Sequence, residues 1–101
     1  MAKIELDVMD MCAGLLKILA DETRLCVVRQ LMQGPMHVNE LNDAIGADQS
    51  LLSHHLKVLR EGGIVEASRD GKAVLYRLSP NVESRRRGNV IDLGCCQLSF
   101  N

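Results

Sequence analysis

The sequence predicts a mainly α-helical domain that carries one β-hairpin. Apolar residues recur at spacings of three and four up to Glu61, the period then changes to a β-like pattern, and an Asp-Gly pair divides the two strand-like segments. A chain of 101 residues is expected to form one domain, residues 1–101. Hydrophobic residues make up 47% of it, ample for a core, and Tyr76 and Phe100 are the only aromatics, so aliphatic side chains must fill that core. A domain this short leaves much of its surface in water, and a second copy would add burial.

Each element follows from local chemistry. Residues 8–20 place Met11, Cys12, Leu15, Leu16 and Leu19 at helical spacing. Asp21-Glu22-Thr23 opens a second helix, where acidic groups favour the positive N-terminal end. Leu25, Val28, Leu31 and Met32 are its predicted inner face, and Gly34-Pro35 ends it. A short third helix runs from about His37 to Ile45, with Val38, Leu41 and Ile45 inward and Gly46 as its C-cap. Asp48 caps a fourth helix over residues 49–61, with Leu52, Leu56 and Leu59 inward, and Gly62-Gly63 stops it. Residues 64–69 and 73–78 read as strands, with Asp70-Gly71 as the two-residue turn, Arg69 and Lys72 flanking it, and Pro80 closing the second strand. Further on, residues 81–87 suit one or two helical turns, residues 90–93 are apolar and β-branched, and a short final strand is expected near 96–100.

Charge is distributed unevenly. The net value is −1, but residues 1–48 hold eight acids and four bases, whereas residues 49–87 hold four acids and eight bases. A mildly acidic chain can therefore present a basic face, and the local field is what a phosphate backbone meets. The first ten residues carry Lys3, Glu5, Asp7 and Asp10 without a continuous apolar run, so no signal peptide is expected. No stretch approaches the roughly 18 apolar residues of a membrane span. The expectation is a cytoplasmic protein with no membrane partner, its four cysteines being thiols rather than a disulfide framework.

The order of elements points to duplex DNA. Only Gly46, Ala47 and Asp48 separate the third and fourth helices, which is helix-turn-helix spacing with glycine in the turn. The second helix of such a pair enters the major groove with its N-terminal residues at base edges. Here these are Gln49, Ser50, Ser53 and His54, which share one helix face. Glutamine can pair bidentately with adenine, and serine can contact several bases. Lys57 lies one turn further on, where a phosphate would sit, and Arg69 and Lys72 at the hairpin tip suit backbone or minor-groove contacts, the hairpin acting as a wing. Arg85-Arg86-Arg87 is either a solvated run or a further phosphate contact.

The stretch from Leu19 to Leu78, about three-fifths of the chain, resembles the ArsR/SmtB family of metal- and stress-responsive repressors. The resemblance is carried by Leu19-Ala20-Asp21-Glu22-Thr23-Arg24-Leu25, by Glu40-Leu41 with Ala44-Ile45-Gly46, and above all by Gln49-Ser50-Leu51-Leu52-Ser53-His54-His55-Leu56-Lys57-Val58-Leu59. Gly63-Ile64-Val65 and Gly71-Lys72 with Leu75-Tyr76-Arg77-Leu78 complete it. It implies a homodimeric winged helix-turn-helix joined through its first and last helices. It also implies a repressor that sits on an operator and leaves it when an inducer binds, with the DNA-reading positions on Gln49, Ser50, Ser53 and His54. Residues 81–101 depart from the pattern.

The inducer site is where that departure matters. One family metal site places cysteines at the start of the third helix, where this chain has Met36-His37-Val38-Asn39-Glu40-Leu41. Another uses Asp and His on the last helix, but no histidine lies beyond His55. What remains is Cys95-Cys96, with Cys12 and Cys26 elsewhere. Thiolates favour thiophilic ions, trivalent arsenic included. Arsenite wants three sulfurs, so a third thiol would have to approach through the fold or from a second subunit. A redox or persulfide response of the same thiols is the alternative, as is a regulator that senses nothing. Cys12 and Cys26 are expected in the core, since free cysteine is among the most buried residue types. His55 is expected to pack or to meet solvent. No obligatory cofactor is implied, only a thiophilic inducer such as arsenite. No Cys-x-x-Cys motif, catalytic triad, carboxylate pair or phosphate loop supports an enzyme or a metal carrier.

Overall fold

The computed structural model describes residues 3–101, with side chains from Asp7 onward. Helix α1, Lys3–Leu19, begins ahead of the predicted residue 8. Cys12 and Leu19 are buried and Leu15 and Ile18 half-buried, whereas Met11 and Leu16, predicted on the same stripe, are exposed, Met11 at 60%. With Val8 and Met9 they leave α1 an apolar border in solvent.

Helix α2, Glu22–Leu31, starts where Asp21 accepts a hydrogen bond from the Arg24 N–H at 3.0 Å. Val27, Val28 and Leu31 turn inward. Leu25 and Cys26, both expected inside, are exposed, because the helical period puts residues 25, 26 and 29 opposite that buried stripe. Strand β1, Met36–His37, precedes helix α3, Val38–Ile45. His37 is thus a strand residue and N-cap instead of the first helical residue. Within α3 only Leu41 is fully inside; Val38 and Ile45, also expected inward, are half-buried. Gly46 ends α3 in the left-handed region, φ 73°, its N–H bonded to the Asn42 carbonyl at 2.8 Å, as the predicted C-cap requires. Helix α4, Gln49–Glu61, follows after the turn, and Gly62 lies so close to Ile18 of α1 that a Cβ there would collide with it.

Strands β2, Val65–Asp70, and β3, Ala73–Leu78, form the predicted hairpin, and β1 adds to the far edge of β3, giving the antiparallel order β1-β3-β2. The two residues of β1 were illegible as a strand, since they only complete the edge through Met36↔Tyr76 and His37↔Leu75. The register pairs Asp70 with Ala73, so the two-residue turn is Gly71-Lys72 and not Asp70-Gly71. Gly71 takes φ 64° at the first turn position, a conformation that two-residue hairpins demand.

The tail holds no long last helix. Helix α5, Pro80–Ser84, is a single turn capped by the Ser79 hydroxyl, which accepts from the Val82 N–H at 3.3 Å. It is followed by β4, Arg86–Arg87, β5, Val90–Asp92, and β6, Gln97–Ser99, a second antiparallel sheet in that order. The expected helical turn, apolar β segment and final strand are therefore present. The last helix that the family resemblance implied for dimer contact is replaced by this small sheet. Ile91 and Leu93 join it to the main core, where Val27, Val28, Leu31, Leu41, Leu52, Leu56 and Leu59 meet between the helices and the hairpin. Burying each such side chain fully contributes about 1.5–3 kcal/mol. No helix among the described residues is long and apolar enough to cross a membrane.

Candidate nucleic-acid interface and cysteine cluster

Helix α4 has two faces with opposite jobs. Leu52, Leu56 and Leu59 are buried against α2 and the wing. Gln49, Ser50, Ser53, His54 and Lys57 are all exposed, on the face that points away. Asp48 caps the helix, its Oδ1 accepting from the N–H groups of Ser50 at 3.0 Å and Leu51 at 3.2 Å. The polar edge is thereby held at the helix N-terminus, where backbone dipoles favour an anion such as phosphate. Leu51, 47% exposed, adds an apolar surface beside it. Lys57 lies 4.0 Å from Glu61, an exposed pair weak enough to yield to a phosphate.

His55 is buried, consistent with a packing role, and turns away from the polar edge that His54 joins. Its Nε2 lies 3.6 Å from Asp21 Oδ1, which ties α4 to the cap of α2. The Arg24 N–H, and after it the charges of His55 and Arg24, hold the Asp21 carboxyl below the usual carboxylate range against the opposing effect of desolvation.

Arg69 and Lys72 are exposed at the wing tip, and neither joins an ion pair among the described residues. The wing is braced across its strands by Arg77, whose Nη2 donates to Ser68 Oγ at 3.1 Å. A second brace was not anticipated from sequence. His37 Nε2 lies 2.7 Å from Asp70 Oδ2 and its Nδ1 2.8 Å from Glu40 Oε1, while Glu40 also accepts from the His37 backbone N–H at 2.9 Å. Both ring nitrogens face carboxylates, and only the imidazolium has two N–H groups to offer them. The Asp70 hydrogen bond, then that of Glu40, raises the His37 pKa above its ordinary 6.5. The His37 backbone N–H, then its ring, lowers Glu40 below its ordinary 4.5. The raised histidine pKa stabilises the tether fully below about pH 6.5, and that contribution fades as pH rises through the raised value. The lowered Glu40 pKa sets the other bound, with support lost as pH falls below about 4.5. Asp70→Asn removes the largest cause and is expected to lower the His37 pKa, read from its ring protons by NMR. An unchanged titration would mean that wing tip and α3 do not touch in solution.

Among the tail arginines, Arg86 is committed internally. Its Nε and Nη2 each donate to Glu83 at 3.0 Å and its Nη1 to the Gly88 carbonyl at 2.8 Å, which leaves Arg87 as the exposed member of the run.

The cysteines correct the sequence reading most. Cys12 is buried as expected, but it is bonded to Cys95 in a disulfide spanning 83 residues of sequence, so the four cysteines are not all thiols. Cys96 is half-buried, with its Sγ 3.7 Å from Cys95 Sγ. Cys12, Cys95 and Cys96 keep their sulfurs within 4.8 Å of one another, one residue from α1 and two from the turn between β5 and β6. Cys12 thus brings a third sulfur beside the tail pair. Its apolar-stripe position concealed that proximity, because a core cysteine reads the same whether or not other sulfurs lie beside it.

Known proteins resemble the chain along the same stretch. The family described as bacterial regulatory protein, arsR family, matches residues 21–67. The HTH-type transcriptional repressor SmtB of Mycobacterium tuberculosis is 41% identical over 72% of this chain and 54% of its own length, so the chain spans little more than half of that relative. The biofilm growth-associated repressor of Xylella fastidiosa is 40% identical over 84% of this chain and 75% of its own. A homodimeric winged helix-turn-helix DNA-binding domain from Mycobacterium bovis superposes with a TM-score of 0.68 at 31% identity, covering 80% of this chain and 75% of that one. These relatives are regulators of transcription or DNA-binding domains, not enzymes. With an exposed polar edge on α4, a braced wing and these likenesses, the chain belongs to the ArsR/SmtB family of winged helix-turn-helix regulators.

Proposed function

We propose that the chain is a homodimeric repressor that binds operator DNA and is released when a thiophilic metal(loid) such as arsenite, or a thiol oxidant, reacts at its cysteine cluster. The observation that carries the DNA half is the division of α4 into a leucine face in the core and an exposed edge of Gln49, Ser50, Ser53 and His54. Lys57, Arg69 and Lys72 would meet the phosphates that position this edge. The apolar border of α1, Val8, Met9, Met11 and Leu16, supports a second copy packing there, and a homodimeric relative supports dimerisation as such. Two α4 helices related by a dyad would read half-sites about one DNA turn apart. A role on operator DNA supports a cytoplasmic location.

The sensing half is supported by the sulfur cluster, because it joins α1 to the tail and therefore lies behind the proposed dimer face. A gel-shift titration on a duplex from the promoter upstream of its own reading frame tests both halves. Affinity should fall steeply with salt as phosphate contacts release counterions. Adding arsenite, antimonite, cadmium, zinc, peroxide or persulfide to the reduced complex identifies the signal. A Cys95→Ser, Cys96→Ser double variant should bind the duplex and ignore the active inducer. Release of that variant at the parent's inducer concentration would remove the cluster from the mechanism.

A further inference from the structure

Three sulfurs from opposite ends of the chain meet at one place. Among the described residues, Cys12, Cys95 and Cys96 form a cluster of potential metal ligands with no carboxylate or imidazole in it. Cys12 is buried at 2% exposure on α1, and the other two follow Gly94, whose φ of 97° lets the chain turn back from β5. Asp92 Oδ1 accepts from the Gly94 N–H at 2.8 Å and the Leu93 N–H donates to the Cys96 carbonyl at 2.9 Å, so the turn is shaped by its own hydrogen bonds. The Cys95 N–H points at Cys12 Sγ from 3.3 Å, and the Leu93 carbonyl oxygen lies 3.2 Å from the same sulfur, placed to accept an S–H when the disulfide is open. Two of the three sulfurs are joined, and the third stands half-buried beside them.

We propose that this cluster is a redox-gated site for a soft trivalent ion, with two mutually exclusive states: three thiolates around one ion, or a Cys12–Cys95 disulfide that cannot bind it. The inference rests on the cluster being the inducer site proposed above, and it adds the ligand set and its regulation. An all-sulfur set of three selects thiophilic ions and offers no hard-cation ligand. A structural zinc site wants four ligands, so a trigonal ion such as arsenic(III) or antimony(III) fits the count better. When arsenous acid binds, three As–S bonds form and three As–O bonds break. Each hydroxide leaves as water with one thiol proton, and no electron moves. When hydrogen peroxide acts instead, the Cys12 and Cys95 thiols give up two electrons and two protons, an S–S bond forms, the O–O bond breaks and two waters leave. That oxidation removes two of the three ligands at once and leaves Cys96 alone. A bound ion, in turn, occupies the sulfur electron pairs that would attack a peroxide.

Cys26 supplies an internal reference, since it is exposed on α2 and outside the cluster. Thiol counting with Ellman's reagent on the full chain, without DNA, tests the proposal. The reduced protein should show four reactive thiols under denaturing conditions. One equivalent of arsenite under native conditions should protect three. Peroxide should remove two, with a Cys12–Cys95 link in the peptide map, and arsenite should then protect none. Protein loaded with arsenite first should keep its thiols through the same peroxide treatment. Cys96→Ser, which leaves the disulfide pair intact, should still form that link yet bind arsenite at least tenfold more weakly than the parent, and Cys26→Ser should match the parent. The proposal is overturned if the oxidised protein binds arsenite as well as the reduced one does, if the reduced protein binds none, or if the Cys96→Ser variant binds like the parent. Its failure is separable from that of the sensing role. Thiol counts as expected with an operator complex indifferent to arsenite would keep the site and discard the sensing, whereas release by arsenite after full Cys12–Cys95 oxidation would keep the sensing and discard the gate.

Discussion

Gln49→Ala is expected to weaken operator binding about 5- to 150-fold without changing the fold. The range corresponds to the ~1–3 kcal/mol that a bidentate side-chain-to-base contact contributes to discrimination. Gln49 is exposed in the first turn of α4 and makes no hydrogen bond with another side chain among the described residues, so its loss should leave the core alone. The loss should concentrate at one base position of each half-site, where competing duplexes lose their ranking. Lys57→Ala should behave differently. It should weaken all duplexes about equally and make the salt dependence shallower by roughly one counterion, because a phosphate contact carries no sequence information. His54→Ala follows the glutamine pattern if His54 reaches a base edge. Parent-like affinity in both Gln49→Ala and His54→Ala would mean that a different surface meets the duplex. The measurement is a fluorescence-anisotropy titration at three salt concentrations.

Leu56→Ala is expected to lower the unfolding free energy by about 2–5 kcal/mol, the cost of a cavity in a packed core plus the lost transfer energy. Leu56 is 1% exposed on the inner face of α4, among Val27, Val28 and Leu41 in the same core. Since domains of this kind hold only about 5–15 kcal/mol in total, the variant should lose a large share of its stability, and operator binding to the extent that it unfolds. Urea denaturation of reduced protein checks it, at one fixed protein concentration because dimerisation couples to stability. A loss under about 1 kcal/mol, too small for a filled core position, would show that α4 is not anchored from behind as described. The two variants separate the two faces of one helix, the outer one costing affinity alone and the inner one costing the fold.

Much of this was legible in the chain because punctuation and period agreed. Gly46 and Asp48 cap helices in the structure where the sequence places caps, Asp21 stands at the start of α2 where the sequence opens that helix, and Leu52, Leu56 and Leu59 fall on the buried stripe. Misreadings arose where a tertiary partner overrode a local signal. Asp-Gly is a strong turn pair, yet Asp70 stays in the strand, its carboxylate held by His37 from another element. Leu25 and Cys26 look apolar, but the stripe of Val27, Val28 and Leu31 leaves them on the outer side of α2. The Cys12–Cys95 link joins residues 83 apart, a distance that no periodicity in either segment encodes. In the tail, the expected one or two helical turns are a single one, after which Gly88-Asn89 turns the chain into a sheet. The exposed polar edge of α4 was legible for the opposite reason: it is local and contiguous, and a helix places its residues together without help from elsewhere.

NMR chemical-shift mapping of the reduced protein during titration with its promoter duplex addresses the interface most directly. The largest changes should fall on Gln49, Ser50, Ser53 and His54, with smaller ones at Arg69 and Lys72. Changes confined to α1 or the tail sheet, with the α4 edge silent, would contradict the account.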